Sequence, residues 1–405
     1  MKLPIPDMNI GVVGHVDHGK TTLVQALTGV WTARHSEELR RSMTIKLGYA
    51  DGNIAVCEGM EPPDAYTTEL VCKNGSSAKL IRRVSYVDAP GHEILMATML
   101  SGAALMDAAL LVIAANEPCP QPQTREHLTA LEIIGVKNLI VVQNKVDLVS
   151  KEKAVENYSQ IQKFLKGTVA ENAPIVPFVA NKCANADALM RAIDKAIPTP
   201  ERNLDAGPKM YVARSFDINK PGTEISKLTG GVIGGSLIEG ILKVGEEVEL
   251  RPGLIISEKG KMEKAKPLKI KVESLFAGGE RIEEARPGGL IGIGTLLDPA
   301  VTKSDRIVGS LLGRSDELPP LLSEVVLEFK FLNRVGMAGI PIKAKEPLVL
   351  SIGTATAIGF VNKIKKNALH LSLKRPICIL KGSKVAVSRR VGKRWRLAGY
   401  GTVKE

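Results

Sequence analysis

The sequence predicts a doubly wound, mostly parallel α/β sheet followed by two antiparallel β-barrels. Buried-strand runs alternate with helical periods between residues 8 and 197. The helical period then disappears after a stretch, 198–208, that opens with Pro198-Thr-Pro200 and closes with Gly207-Pro208. Beyond it, short apolar runs punctuated by Gly and Pro fill the chain, with a second break at Asp316-Glu-Leu-Pro-Pro320.

In the first part the strands read 8–13, 84–88, 108–115, 139–143 and 175–179, and the helices 20–29, 92–102, 123–134, 152–166 and 185–197. This βαβ rhythm builds a parallel sheet with helices on both faces. Residues 94–115 resemble a membrane span, but Asp107 interrupts the run, and a helix followed by a central strand accounts for it. No membrane partner is expected. The second part reads as strands 210–217, 231–238, 246–250, 268–274 and 289–295, and the third as 324–332, 347–352, 357–363, 369–373 and 383–390. The expected domains are 1–205, 206–320 and 321–405, in keeping with a length of 405 residues. Neither barrel carries convergent catalytic residues, so binding is their expected work.

The formal net charge is +12, and it is uneven: from Val361 onward thirteen Lys or Arg oppose a single acid, Glu405. A solvated basic barrel face and contact with RNA phosphates both fit that density. Five cysteines, without a recognisable signal peptide, point to the reducing cytoplasm and against a disulfide framework.

Four motifs carry the chemistry. Gly14-His-Val-Asp-His-Gly19-Lys20-Thr21 lies between the apolar run Met8–Val13 and the helical pattern that opens at Thr22. Strand, glycine-rich loop and helix are the context of a phosphate-binding P-loop. Its N–H groups form an anion nest, and the helix N-terminus adds orphan donors with a positive end. Asp17, His18, Gly19, Lys20, Thr21 and Thr22 are the candidate contacts. Among them Lys20 reaches the β- and γ-phosphates, and the Thr21 hydroxyl takes a position on Mg²⁺. Asp88-Ala-Pro-Gly91 follows a strand-like run; Asp88 would hold Mg²⁺ through a water, and Gly91 N–H would approach the γ-phosphate. Asn144-Lys145-Val146-Asp147 follows the run Leu139–Gln143. Asp147 there can accept from guanine N1–H and the exocyclic amino group. Adenine lacks that group and would leave the acceptor unpaired, at a cost of about 1–3 kcal/mol. Thr44 stands between the P-loop and Asp88, where a switch segment would close on Mg²⁺. In this order the four motifs predict a Mg²⁺-dependent GTPase cycling between GTP and GDP.

GHVDHGKT, DAPGH and NKVD, followed by two predicted barrels, resemble the translational GTPases of the elongation factor Tu type. The chain is more closely similar to the gamma-subunit family of archaeal translation initiation factor 2. That match runs through residues 35–50 and 89–104, Ala115-Asn-Glu-Pro118 with Gln121-Pro-Gln-Thr-Arg-Glu-His127, residues 214–222, Gly230-Gly-Val-Ile-Gly-Gly-Ser236, Arg286-Pro-Gly-Gly289 and residues 392–401. It therefore covers essentially the whole chain. The resemblance implies a GTP-dependent carrier of methionylated initiator tRNA to the small ribosomal subunit, built as the core of an αβγ heterotrimer. It implies that the GTPase domain and first barrel hold the aminoacyl end, that the first barrel docks the alpha subunit, and that the GTPase domain docks a helix of the beta subunit. At residue level it implies that His92 orients the attacking water and that Val16 gates it. Asp17 and His18 would add to the metal or switch environment, and Ala180, beside Asn181, would offer guanine O6 a backbone N–H.

Three departures from the family pattern stand out. A zinc knuckle is expected near 57–75, but only Cys57 and Cys72 remain, with Met60 and Gly75 in place of the other two cysteines. Two thiolates do not close a tetrahedral site, so zinc is not expected. The loop would hold by packing or by a Cys57–Cys72 bridge. Val179 replaces the usual Ser before Ala180, which would loosen that loop. Ser42 replaces the usual Gly before Met43-Thr44, and would bias the switch toward its open form if φ there must be positive. No arginine finger is identifiable, so slow hydrolysis accelerated by a partner is expected. An aminoacyl-tRNA elongation factor, a selenocysteine-specific elongation factor (which is expected to carry a further C-terminal domain), a GTPase driving sulfate adenylylation and a GTP-gated scaffold are the competing readings. The 46–82 insertion weighs against the first.

Overall fold

The computed structural model describes residues 4–33, 47–92, 96–220, 222–257, 262–332, 341–366, 368–392 and 394–404. The chain divides into two compact units, Met1–Glu201 and Arg202–Glu405.

The first unit contains, in order, Met8–Gly14 (β1), Lys20–Thr28 (α1), Gly48–Val56 (β2), Tyr66–Thr67 (β3), Lys79–Asp88 (β4), Met96–Ala103 (α2), Ala108–Ala114 (β5), Pro122–Ile134 (α3), Asn138–Asn144 (β6), Lys151–Leu165 (α4), Ile175–Pro177 (β7) and Ala186–Ala196 (α5). Their sheet runs β3-β2-β4-β1-β5-β6-β7. β1 lies parallel to β4 and β5, and β6 parallel to β5 and β7, while β2 runs antiparallel to β4. Every residue of β1 and β5 is buried, which is why β5 reads as an unbroken apolar run and β1 as one interrupted only by Asn9. Leu23, Val24 and Leu27 of α1 pack against Ile10, Val12 and Leu110, and Leu189, Met190 and Ile193 of α5 join the same core.

Register decides where the chemistry sits. Val12 pairs with Asp88, Gly14 with Val112, and Ala114 with Asn144. The carboxyl ends of β1, β4, β5 and β6 therefore reach one edge of the sheet, where ligands bind in doubly wound folds.

Several elements differ from the sequence expectation: strands Tyr66–Thr67, Glu280–Ile282, Leu311–Gly313 and Arg394–Lys404 are additional to those predicted. The hairpin of β2 with the first half of β4 has no counterpart in the predicted strands. Gly48, Asp51, Gly52 and Asn53 break its apolar alternation, and antiparallel pairing with β4 holds it instead. The helix predicted at 92–102 is described over Met96–Ala103, with residues 93–95 outside the described residues and His92 not helical. Beyond β2, Cys57 and Cys72 form a disulfide with Cα atoms 5.8 Å apart, because the pairing of β2 with β3 folds the intervening loop back on itself. Cys119, Cys183 and Cys378 are free thiols, so the cystine is a local staple rather than a framework.

The second unit carries both predicted β assemblies. An antiparallel eight-stranded sheet runs, edge to edge, through Lys264–Lys271, Glu247–Ile256, Leu311–Gly313, Lys209–Phe216, Val232–Glu239, Leu290–Gly294, Ser274–Ala277 and Glu280–Ile282. A closed barrel follows, ordered Leu321–Phe331, Ala368–Cys378, Ala355–Lys365, Pro347–Ile352, Lys384–Val391 and Arg394–Lys404. Its core comes from alternating inward residues such as Leu327, Leu348, Leu350, Leu371 and Val387. Leu311, Leu318 and Cys378 cluster with Tyr211, Leu321 and Leu380, joining the two assemblies. Among the described residues no helix is long and apolar enough to cross a membrane.

The cystine closes a loop of sequence separation 15, a constraint worth about 3 kcal/mol in the chain-entropy picture. Reduction, or joint replacement of Cys57 and Cys72 by Ser, should lower the melting temperature of the first unit by about 5–10 °C. A melting curve unchanged by reduction would contradict the bridge.

Candidate nucleotide-binding site

The loop from Gly14 to Gly19 links β1 to α1, and it is tied down from several sides. Lys20 folds its side chain back so that Nζ donates to the His15 carbonyl at 2.6 Å. Burial pushes its ammonium down to about 8, while the Asp88 and Asp17 carboxylates pull it upward. Gly19 caps α1 with φ +89°, and a Cβ there would run into Asn144 Nδ2. Gly91 lies so close that a Cβ would strike Lys20 Nζ and press on Val16 N. Only glycine leaves these backbones open to a phosphate.

His18 is buried. Its Nδ1–H donates to the Val112 carbonyl at 3.0 Å, and Nε2 lies 3.3 Å from the Glu117 carboxylate. Burial lowers its pKa below the usual imidazole value. Val16 is half-buried, Asp17 is exposed with φ 61°, and Thr21 and Thr22 sit half-buried in the first turn of α1.

Asp88 ends β4 with no exposed surface. Its Oδ2 accepts from Thr21 Oγ1 at 2.7 Å and from Thr32 Oγ1 at 2.8 Å. Two hard oxygens, the Thr21 hydroxyl and the Asp88 carboxylate, thus meet beside the loop, a donor set suited to Mg²⁺. His92, half-buried, follows Gly91 directly. Ser42, Met43 and Thr44 lie outside the described residues.

The base end is assembled around Asn144, which is 1% exposed. Its Nδ2 donates to the His18 carbonyl at 2.9 Å, and its Oδ1 accepts from Ala180 N–H at 3.1 Å. The N–H expected to face guanine O6 is therefore engaged with Asn144 in this structure. Lys145 adopts φ 61° and leads into the short turn Val146–Leu148. Asp147 Oδ2 lies 3.2 Å from Lys182 Nζ; the lysine is largely exposed, so a ligand displaces it at small cost. Asn181 is exposed beside Ala180. Val179, in place of the expected Ser, is held by paired backbone bonds with Ala184, at 3.3 and 3.2 Å.

The structure thus gathers the P-loop, Asp88, Gly91 and Asn144 at one sheet edge, with Asp147 and the Ala180 turn beside them. Two partners of the loop escaped the sequence reading. Thr32 braces Asp88 from beyond α1, and nothing in the pattern marks it. His127, on α3, accepts Gly14 N–H on Nδ1 at 2.9 Å. Its only signal was its place in the segment 121–127.

The Elongation factor Tu GTP binding domain matches residues 6–199, and the Initiation factor eIF2 gamma, C terminal domain matches residues 323–403. Translation initiation factor 2 subunit gamma of Archaeoglobus fulgidus is 54% identical, covering 100% of this chain and 96% of its own. The same subunit from Aeropyrum pernix is 57% identical, covering 98% of each chain. Among solved structures, a bacterial selenocysteine-specific elongation factor shares the fold at TM-score 0.75 and 24% identity. It covers all of this chain, which spans 58% of the length of that protein. The elongation factor SelB of Methanococcus maripaludis, in complex with a GTP analogue, aligns at TM-score 0.72 and 23% identity, over 100% of this chain and 80% of its own.

Proposed function

The chain belongs to the gamma subunits of translation initiation factor 2, a translational GTPase, and we propose that it carries methionylated initiator tRNA to the small ribosomal subunit as the core of an αβγ complex. Hydrolysis of GTP to GDP and phosphate is the timed switch. The carrier role is supported by the relatives at 54–57% identity over essentially the full chain, and the nucleotide switch by the Asn144 amide, which holds the phosphate loop and the base loop together.

Each residue has a part. Lys20 and the loop N–H groups neutralise phosphate charge, and Gly91 N–H meets the γ-phosphate. Asp147 reads the guanine edge, with Lys145, Ala180 and Asn181 bordering the base. Thr21 and Asp88 are the proposed Mg²⁺ holders, joined by Thr44 and by Asp17 in the closed state. When bound, that ion neutralises charge on the phosphate oxygens. His92 orients the attacking water, and Val16, on the neighbouring loop, shields the approach. His18 anchors the loop from below through Val112.

Only the γ-phosphate rewards ordering of Gly91 and the segment around Thr44, so a partner surface that includes them distinguishes GTP from GDP. The basic C-terminal barrel, with thirteen Lys or Arg from Val361 onward, supports contact with ribosomal or transfer RNA. The alpha and beta subunits are the proposed protein partners, and the cytoplasm the proposed compartment. Zinc has no proposed role, since Cys57 and Cys72 are spent on each other.

Two outcomes test this reading. With the purified alpha subunit present, methionylated initiator tRNA should bind at least about 10-fold tighter in the GTP-analogue form than in the GDP form. Equal affinities would contradict nucleotide-gated carriage. Replacement His92→Ala should slow single-turnover hydrolysis by about 10²–10⁴-fold with GTP affinity nearly unchanged. An unaltered rate would remove His92 from the chemistry.

A further inference from the structure

The loop is clamped at its far end by Asn144, a motif residue. Its near end is held by a residue that no phosphate-binding motif contains. α3 packs on β1 and β5, and His127, five residues beyond Pro122, lies fully buried beneath the loop. Gly14 N–H reaches its Nδ1 at 2.9 Å. An N–H can only donate, so Nδ1 must be the bare nitrogen of a neutral imidazole, with the proton on Nε2. Nε2 meets no hydrogen-bond partner among the described residues. A leucine would fill this site without burying an orphan donor, so packing alone does not explain a histidine here.

We infer that His127 is a positioning residue for nucleotide binding: its Nδ1 fixes the first peptide of the phosphate loop, so that Gly14 N–H points away from the cradle and the later N–H groups converge on phosphate. The inference rests on the reading of this loop as the phosphate site. His127 on Gly14 N–H and Asn144 on the His18 carbonyl then hold the two ends of the loop, beside the bonds of Lys20 and His18 within it. The surroundings keep the acceptor available. Burial first, then the neighbouring Lys20, His15 and His18, push the His127 imidazole down to about 3. It therefore stays neutral and accepting across the physiological range.

The test uses the full chain with a fluorescent GDP. His127→Leu removes the acceptor and keeps the bulk. His127→Asn places Oδ1 as many bonds from Cα as Nδ1 was, and restores the acceptor with a smaller side chain. The Leu variant should bind GDP and GTP about 10–100-fold more weakly, through faster dissociation. Hydrolysis of nucleotide once bound should stay within about threefold of wild type. The Asn variant should recover to within about threefold of wild-type affinity, while melting, nucleotide-free, below the Leu variant because of the cavity it leaves. Affinity would then follow the acceptor and not the stability. Wild-type affinity in the Leu variant would overturn the inference, as would an Asn variant that folds and binds as weakly as Leu. A wild-type chain that binds no guanine nucleotide would instead overturn the phosphate-site reading itself.

Discussion

Asn144 stands at the end of β6 with its amide spent in both directions, toward the His18 carbonyl and the Ala180 N–H. Buried in a low-dielectric setting, neither bond has water as a substitute, and loss of the side chain would orphan a donor and an acceptor together. The phosphate loop and the base loop, far apart in sequence, are thereby held as one rigid cradle. The sheet makes this possible. Parallel pairing of β5 with β6 brings Asn144 level with Ala114, one strand over from the end of β1. The remaining features of the site then take their places along the same edge.

Much of that edge was legible because the motifs need unusual residues at the ends of apolar strands. Gly19 and Gly91 are glycines because a side chain at either would collide with Asn144 or Lys20. Asp88 is readable as the one carboxylate closing a buried strand. Thr32 and His127 were not readable, because their partners lie 56 and 113 residues away and the bonds exist only through tertiary packing. The hairpin of β2 was missed for a related reason. Its glycines and polar residues suit a strand held by its neighbour rather than by its own pattern. The barrels were legible as classes, since alternation and Gly–Pro punctuation mark antiparallel strands, whereas closure of the last six strands depends on register, which alternation does not give.

The knuckle shows how one local problem admits two solutions. The loop inserted between β2 and β4 sends Tyr66 into the core beneath the sheet, and a covalent or metal link can close the rest of it. Spacing left the choice between packing and a bridge open. The structure settles it by bringing the two Cα atoms to 5.8 Å. The guanine-side turn shows the same economy, with Val179 held by backbone bonds where a hydroxyl was expected.

The measurement that tests the common cradle most directly is the affinity of an Asn144→Ala variant for GDP and for inosine diphosphate, which lacks the 2-amino group. If the amide joins the two ends, GDP affinity should fall by about 30–100-fold, and the preference for GDP over inosine diphosphate should shrink with it. A variant that loses phosphate affinity but keeps its full preference for guanine would show that the two loops are held independently. The Asn144 amide would then not be what joins them.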